Sequence, residues 1–354
     1  VDSSNNDNLQ LSSTTRATTT LKDVFNDTYN LYQWNLHNLA AESKVKPTKI
    51  SNLAEVHEDA DVNAVPAWKL CTGDPSIIVA VLDEGVMNTH EDLADNIWIN
   101  TTELNGQTGV DDDKNGYVDD VYGWNCVRNT GNIDWSNRSE SGHGTHVAGI
   151  VAAANGNGIG VCGVAGGTGK GDGVRMMSLQ IFEGGASTLD ASAKAFVYAA
   201  DNGASIAQCS FGYEGEGSAY KSDKDYSRVF GAEYDAIRYF MDPENNNSEI
   251  LDGNIVVAAA GNDGRDMSSY PAAVKDVISV TALGPDYLPA VNYTNYGPGC
   301  NIAAPGGDFY IGNISNFQDN RSRVLSTFVN SVTDANLGTS GHDYVYMQGT
   351  SQAC

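Results

Sequence analysis

The first apolar run along the chain, residues 77–82, reads Ile-Ile-Val-Ala-Val-Leu and ends at Asp83. A run this short, apolar at every position and bounded by turn formers, predicts a strand buried on both faces, as in a parallel sheet. Similar runs recur at 174–182, 205–211, 255–260, 277–283 and 302–304. Between several of them the spacing becomes helical. Residues 189–202 form one such stretch, closed by Gly203 as a C-cap, and residues 231–241 another, stopped before Pro243. A third follows residue 142, where Val147, Ile150, Val151 and Ala154 fall at i, i+3, i+4 and i+7. Strands alternating with helices predict an α/β fold: a mostly parallel central sheet flanked by helices on both faces. Sites in such sheets lie beyond the carboxyl ends of strands. Asp83 and Asn262 hold that position.

The remaining segments set the limits of this domain. Residues 1–20 are mostly Ser, Thr, Asn and Asp. They cannot bury enough surface to offset ordering, so they read as a flexible lead-in or the remnant of a pro-segment, with the folded unit at 21–354. The polar stretches 214–228 and 308–343 read as surface insertions. With 20 Lys and Arg against 45 Asp and Glu, the net charge is −25. No basic footprint for nucleic acid exists, and the charge suits a protein that gathers cations. No stretch is apolar for about 18 residues, so no membrane span is expected. The chain opens on Val1 rather than Met, consistent with an upstream targeting segment removed or left out. Of six cysteines, Cys162 and Cys209 lie in apolar runs and Cys354 closes the chain, which suits buried thiols. Cys71, Cys126 and Cys300 leave room for one disulfide.

The chemistry centres on Ser141-Gly142-His143-Gly144-Thr145-His146-Val147-Ala148-Gly149-Ile150. Two glycines flank a histidine at the start of a helix, which suits a metal ligand or a general base. Two distant segments offer partners: Asp83 after the first apolar run, and Ser351 in Gly349-Thr350-Ser351-Gln352-Ala353. Asp, His, Ser is one of the chain orders of the hydrolase triad. With these three motifs the sequence resembles the subtilisin-like serine proteases, the subtilases. His90-Glu91-Asp92-Leu93, Tyr270-Pro271-Ala272, the 301–306 segment and the 33–36 segment, resembling the family's entry strand, extend the likeness from about Phe25 onward.

The resemblance implies a serine endopeptidase acting on proteins or peptides through an acyl-enzyme, outside the cytoplasm. Ser351 would be the nucleophile, His143 the base and Asp83 its orienter, with Asn262 as an oxyanion donor. Ser210, Phe211 and Gly212 would pair with the substrate backbone by β-strand addition. Ala259, Ala260 and Gly261 would line the pocket for the residue before the cut. Three departures stand out. Glu84 occupies a position where the family usually carries Thr or Ser; a carboxylate there would raise the histidine pKa. Gln352 replaces the usual Met. The chain stops three residues after Ser351, where the family continues into a long buried helix; the resemblance implies a fragment lacking its C-terminal part.

Structural calcium is expected at two places. Residues 111–120 carry the D-x-[DN]-x-[DN]-G start of a calcium loop, with Asp111, Asp113, Asn115, the Tyr117 carbonyl and Asp119 as ligands. Tyr122 stands where a closing Glu belongs, so either Asp120 completes the shell or the site is weak. The second site comes from the resemblance alone: Asp27, Asp92 and Asn157 side chains with the Ile159 and Val161 carbonyls, in a loop one residue longer than the family's. Two rival readings remain. One is a metal hydrolase using His143 and His146, although these stand at i, i+3 rather than i, i+4. The other is a non-catalytic, calcium-stabilised binding module on the same fold.

Overall fold

A computed structural model describes residues 20–39, 56–135, 142–183, 186–188, 190–213, 220–245, 253–308, 321–329 and 344–354. Nearly all of the predicted lead-in, the first six residues of the 214–228 stretch and most of 308–343 lie outside the described residues.

Every predicted apolar run becomes a strand. These are β1 (Ile78–Asp83), β3 (Arg175–Gln180), β4 (Ile206–Cys209), β5 (Ile255–Ala259), β6 (Ile278–Leu283) and β7 (Ile302–Pro305), joined by the short β2 (Gly123–Asn125). They form one sheet in the order β2-β3-β1-β4-β5-β6-β7, parallel at every pair. The sheet grows from β1 in both directions, so a crevice opens beyond the carboxyl end of β1 and its neighbours.

Alternation along β1 sorts the two faces. Ala80 and Leu82 join the core shared with α5 (Ala191–Asp201) and α7 (Gly231–Met241), through Phe196, Tyr198, Ile237 and Phe240. Val79 and Val81 face α4 (Gly142–Ala152), meeting Val147, Ala148 and Ala152. The helices therefore cover both faces, as the pattern predicted.

α4 differs from its predicted amphipathic form. Gly149 and Ala152 are buried along with Val147 and Ala148, whereas Ile150 and Val151 are half-buried and Ala154 lies past the helix end. An antiparallel pair, β8 (Val324–Thr327) and β9 (Tyr344–Met347), covers the face that would otherwise meet water. Ser326 and Thr327 donate to the carbonyls of His146 and Thr145, both at 2.7 Å.

The polar stretches also hold structure. β8 lies inside 308–343, and α6 (Asp223–Val229) inside 214–228 but for its last residue. Ser222 caps α6, accepting from Asp225 N–H, and Tyr226 anchors it in full burial. The 33–36 segment is a turn and no strand: Gln33 binds the Cys162 backbone in both directions at 2.7 Å. All six cysteines are free thiols. No helix among the described residues is long and apolar enough to cross a membrane.

Candidate active site

Asp83 ends β1 and is buried to 1 % exposure. The first turn of α4 comes against this strand end because residue 144 has no side chain. A Cβ on Gly144 would lie 2.4 Å from the Gly85 carbonyl oxygen and 3.2 Å from the Asp83 Cβ. One on Gly142 would sit inside the Phe328 ring. The flanking glycines thus let His143 approach Asp83. His143 Nδ1 stands 2.8 Å from Asp83 Oδ1 and 2.9 Å from Oδ2. In the neutral ring Nδ1, facing a carboxylate, carries the proton, which leaves the Nε2 lone pair for the cleft.

Ser351 stands in the first turn of α8 (Thr350–Ala353). Gly349 precedes it at φ +154°, where an added Cβ would press on the Gln352 side chain. The Ser351 hydroxyl donates to the Ser210 carbonyl at 3.1 Å, and the Ser210 hydroxyl returns a bond to the Ser351 carbonyl at 2.9 Å. Asn262 follows β5. Its Oδ1 accepts from Thr350 N–H at 2.9 Å and from Thr350 Oγ1 at 3.0 Å. A backbone N–H can only donate, so the oxygen must face Thr350 and the Nδ2 group is left for the cleft.

Asp83, His143, Ser351 and Asn262 line one cleft of about 390 Å³. Glu84, Phe182, Ser210, Phe211, Gly212, Ala259, Gly261, Ser269 and Thr350 complete its walls. Ala260 is set apart from them. It is fully buried behind the cleft, its carbonyl taken by Ser269 N–H and the Asn295 amide. Phe182 and Ser269 carry no motif. Phe182 lies two residues past β3 and meets Phe211 edge to face at 5.9 Å, a pairing that only the parallel register creates. A larger cavity, about 780 Å³ between the 103–108 and 130–135 segments, holds none of the four.

The field at the imidazole is negative. Burial works against charging the ring, but the Asp83 charge and hydrogen bond, and then Glu84, outweigh it and raise the pKa to about 9. Glu84 Oε2 also accepts the His143 backbone N–H at 3.2 Å, placing a carboxylate at the N-terminus of α4 where the helix dipole favours it. His146 faces elsewhere. Its ring is fully buried, with Nε2 3.2 Å from the Val345 carbonyl, and burial pushes its pKa down to about 3. The two histidines therefore do not converge on one ion, against the metal-pair reading.

Both acidic loops bring carboxylates close to one another. Oxygens of Glu103, Asp113 and Asp120 lie within 4.8 Å of one another. Asp111 instead accepts the N–H groups of Asn115 and Gly116, Asn115 Oδ1 accepts Tyr117 N–H, and Asp119 accepts Gly109 N–H. Glu103 likewise accepts the N–H groups of Asp112, Asp113 and Asp119, Asp113 that of Asn115, and Asp120 the Asn100 and Asn115 amides and the Tyr198 hydroxyl, so all of these side chains shape the loop. The Tyr117 ring packs edge-on to Trp124 and Tyr198 at 4.9 and 4.7 Å. Glu103 comes from α3 (Thr101–Leu104), outside the motif, so no local spacing points to it.

In the other loop, Asp27 accepts Gly156 N–H at 3.0 and 2.9 Å. Asp92 accepts the Asn157 amide at 2.7 Å and Val161 N–H at 2.8 Å, and Asn157 Oδ1 accepts Ile159 N–H at 2.9 Å. Burial raises the pKa of both acids, that of Asp92 to about 7, and the Asp27 charge adds to the rise at Asp92.

Residues 74–354 match the Subtilase family, and the chain belongs to it. It is 33 % identical over 245 residues to halolysin of Haloferax mediterranei, covering 69 % of this chain and 38 % of halolysin. It is 30 % identical over 248 residues to the halolysin-like extracellular serine protease Nep of Natrialba magadii, covering 70 % of this chain and 37 % of Nep. A solved protease from Pseudoalteromonas arctica superposes with a TM-score of 0.57 at 27 % identity, covering 93 % of this chain and 83 % of that one. The chain spans less than two thirds of the curated relatives it matches, from 17 % of a Plasmodium falciparum protease to 51 % of a Bacillus proteinase.

Proposed function

We propose that this chain is the catalytic part of a serine endopeptidase. The observation that carries the reading is the Asp83–His143 contact, with both carboxylate oxygens within 2.9 Å of Nδ1, in a cleft that also holds the Ser351 hydroxyl and the Asn262 amide. An extended peptide would lie along residues 210–212 as an added strand. Turning about its Cα–Cβ bond, Ser351 Oγ leaves the Ser210 carbonyl and attacks the scissile carbonyl carbon while His143 Nε2 takes its proton. The oxyanion meets Asn262 Nδ2 and the Ser351 N–H, which stands in the first turn of α8 with no partner inside the helix. The C–N bond breaks as the imidazolium returns the proton to the leaving amine. Water then attacks the acyl-enzyme by the same route. Asp83 holds the tautomer and stabilises the imidazolium. A fluorophosphonate probe applied to the natural gene product tests this. Labelling that disappears in Ser351→Ala supports the reading; a folded wild type that stays unlabelled favours the binding module; hydrolysis restored by metal without labelling favours the metal hydrolase.

A base held at about 9 is mostly protonated at neutral pH. The proposed peptidase therefore has an alkaline profile, with kcat/KM climbing as pH rises through that value. Glu84→Gln removes one of the charges that holds the proton on. The midpoint of the climb is expected to move toward acid. A midpoint that stays in place in the variant would separate Glu84 from the base. Action outside the cytoplasm, as Nep's name states for that protein, belongs to the same reading.

Two structural calcium ions complete the proposal. The donor sets suit a hard cation: carboxylates and amides, with buried acids crowded together. At the first loop Glu103, Asp113 and Asp120 would hold the ion. At the second, Asp27 and Asp92 would, and the cation would relieve their mutual repulsion. An ion at a hundredfold excess over its Kd stabilises by about 2.7 kcal/mol. Chelation with EDTA is accordingly expected to lower Tm by several degrees; an unmoved melting curve removes both ions.

A further inference from the structure

Glu233, in the first turn of α7, is buried to 1 % exposure, and its side-chain oxygens accept from hydroxyl groups. Ser192 of α5 donates to Oε2 at 2.8 Å, Tyr213 donates to Oε2 at 2.5 Å and Tyr226 of α6 donates to Oε1 at 2.7 Å. Among the described residues no Lys or Arg forms an ion pair with it. A carboxylate away from water persists only when hydrogen-bonded, and hydroxyl bonds to an anion are stronger than bonds between neutral groups. Burial first, and the Glu233 charge next, push both phenols above their ordinary pKa, which keeps them protonated and donating.

Tyr213 links this knot to the cleft. It follows Gly212 directly, its N–H donates to the Tyr270 carbonyl at 3.0 Å, and its ring stacks on Phe230 at 4.0 Å. Tyr270 follows Ser269 and stacks on Tyr226 at 4.5 Å. A Cβ added to Gly212 would meet the Tyr270 carbonyl at 3.3 Å and the Ser269 Cβ at 3.5 Å, so the two stretches of wall touch. Both stretches are therefore fastened to one carboxylate that does not itself line the cleft.

We infer that Glu233 is a positioning residue for the substrate edge: through Tyr213 and Tyr226 it sets where Phe211, Gly212 and Ser269 stand, and so how an extended peptide fits. The inference rests on the peptidase reading above. Ser192 serves as the control, because it bonds the same carboxylate from α5 and is not part of the wall.

The test measures KM and kcat on a four-residue peptide amide, and the rate of fluorophosphonate labelling, for Glu233→Gln, Tyr213→Phe and Ser192→Ala in the natural gene product. For Glu233→Gln and Tyr213→Phe, KM is expected to rise about tenfold while kcat and the labelling rate stay within about twofold, the pattern of lost uniform binding. Ser192→Ala is expected to lower Tm with KM unmoved. An unchanged KM in folded Tyr213→Phe overturns the inference, and so does an equal rise in Ser192→Ala. Equal loss of labelling and peptide turnover assigns Glu233 to general stability and overturns it as well. A wild type that takes no label brings down the peptidase reading and this inference with it.

Discussion

Ser351→Ala is expected to lower kcat for peptide hydrolysis on the order of 10⁶-fold, with Tm close to wild type. The replacement deletes one hydroxyl whose bond in the resting structure runs to the Ser210 carbonyl. A neutral hydrogen bond of this kind contributes about 1 kcal/mol, a small part of a domain's stability. Its chemical loss is far larger, because the acyl-enzyme has no other oxygen to form on. His143→Ala should cost nearly as much, and the double variant little more than either one. That non-additivity is the decisive measurement. Losses that multiply would mean that the two side chains act independently, which the proposed proton transfer forbids.

Asp83→Asn carries the second largest expected effect, roughly 10⁴-fold in kcat. Asp83 Oδ1 accepts from His143 Nδ1 and from the Glu84 backbone N–H, both at 2.8 Å. Those two donors must meet oxygens. In the variant, an amide nitrogen replaces the other carboxylate oxygen, which stands 2.9 Å from Nδ1. If the amide nitrogen faces the ring, the proton is driven to Nε2 and the base is lost. If its oxygen faces the ring, geometry survives but the charge that stabilises the imidazolium does not. Either way turnover falls while the fold persists. The same variant should also bring the histidine pKa down from about 9, since the Asp83 charge and bond are its main upward causes. A titration of the His143 ring that did not move would contradict this account.

How far the sequence alone reaches depends on the range of the interactions. The strands of the sheet centre were legible because burial on both faces leaves apolar runs, as over residues 78–82 of β1. β2 was not, since Gly-Trp-Asn is short and half polar; its pairing with Ser178–Gln180 comes from the partner strand. The hairpin over α4 escaped for a related reason. Its residues are marked by what they cover, and the helical period of α4 cannot reveal a second covered face. At the site, Asp83, His143, Asn262 and Ser351 line one cleft, and each sits in a short motif whose likeness to the family pointed to it. No such motif pointed to Phe182, Ser269 or Glu103, because chain segments far apart in sequence bring them in.

Thr350 gives the site one further property. Its N–H and hydroxyl both hold the Asn262 oxygen, its Oγ1 accepts Gly261 N–H, and its own peptide leads into Ser351. In the proposed mechanism the attacking group and the group that receives the developing negative charge are thus geared to a single threonine. Neither can drift without dragging the other, so mutational tolerance around α8 is governed by pairs of residues and not by single ones. A change that shifts this helix should retune both functions in step.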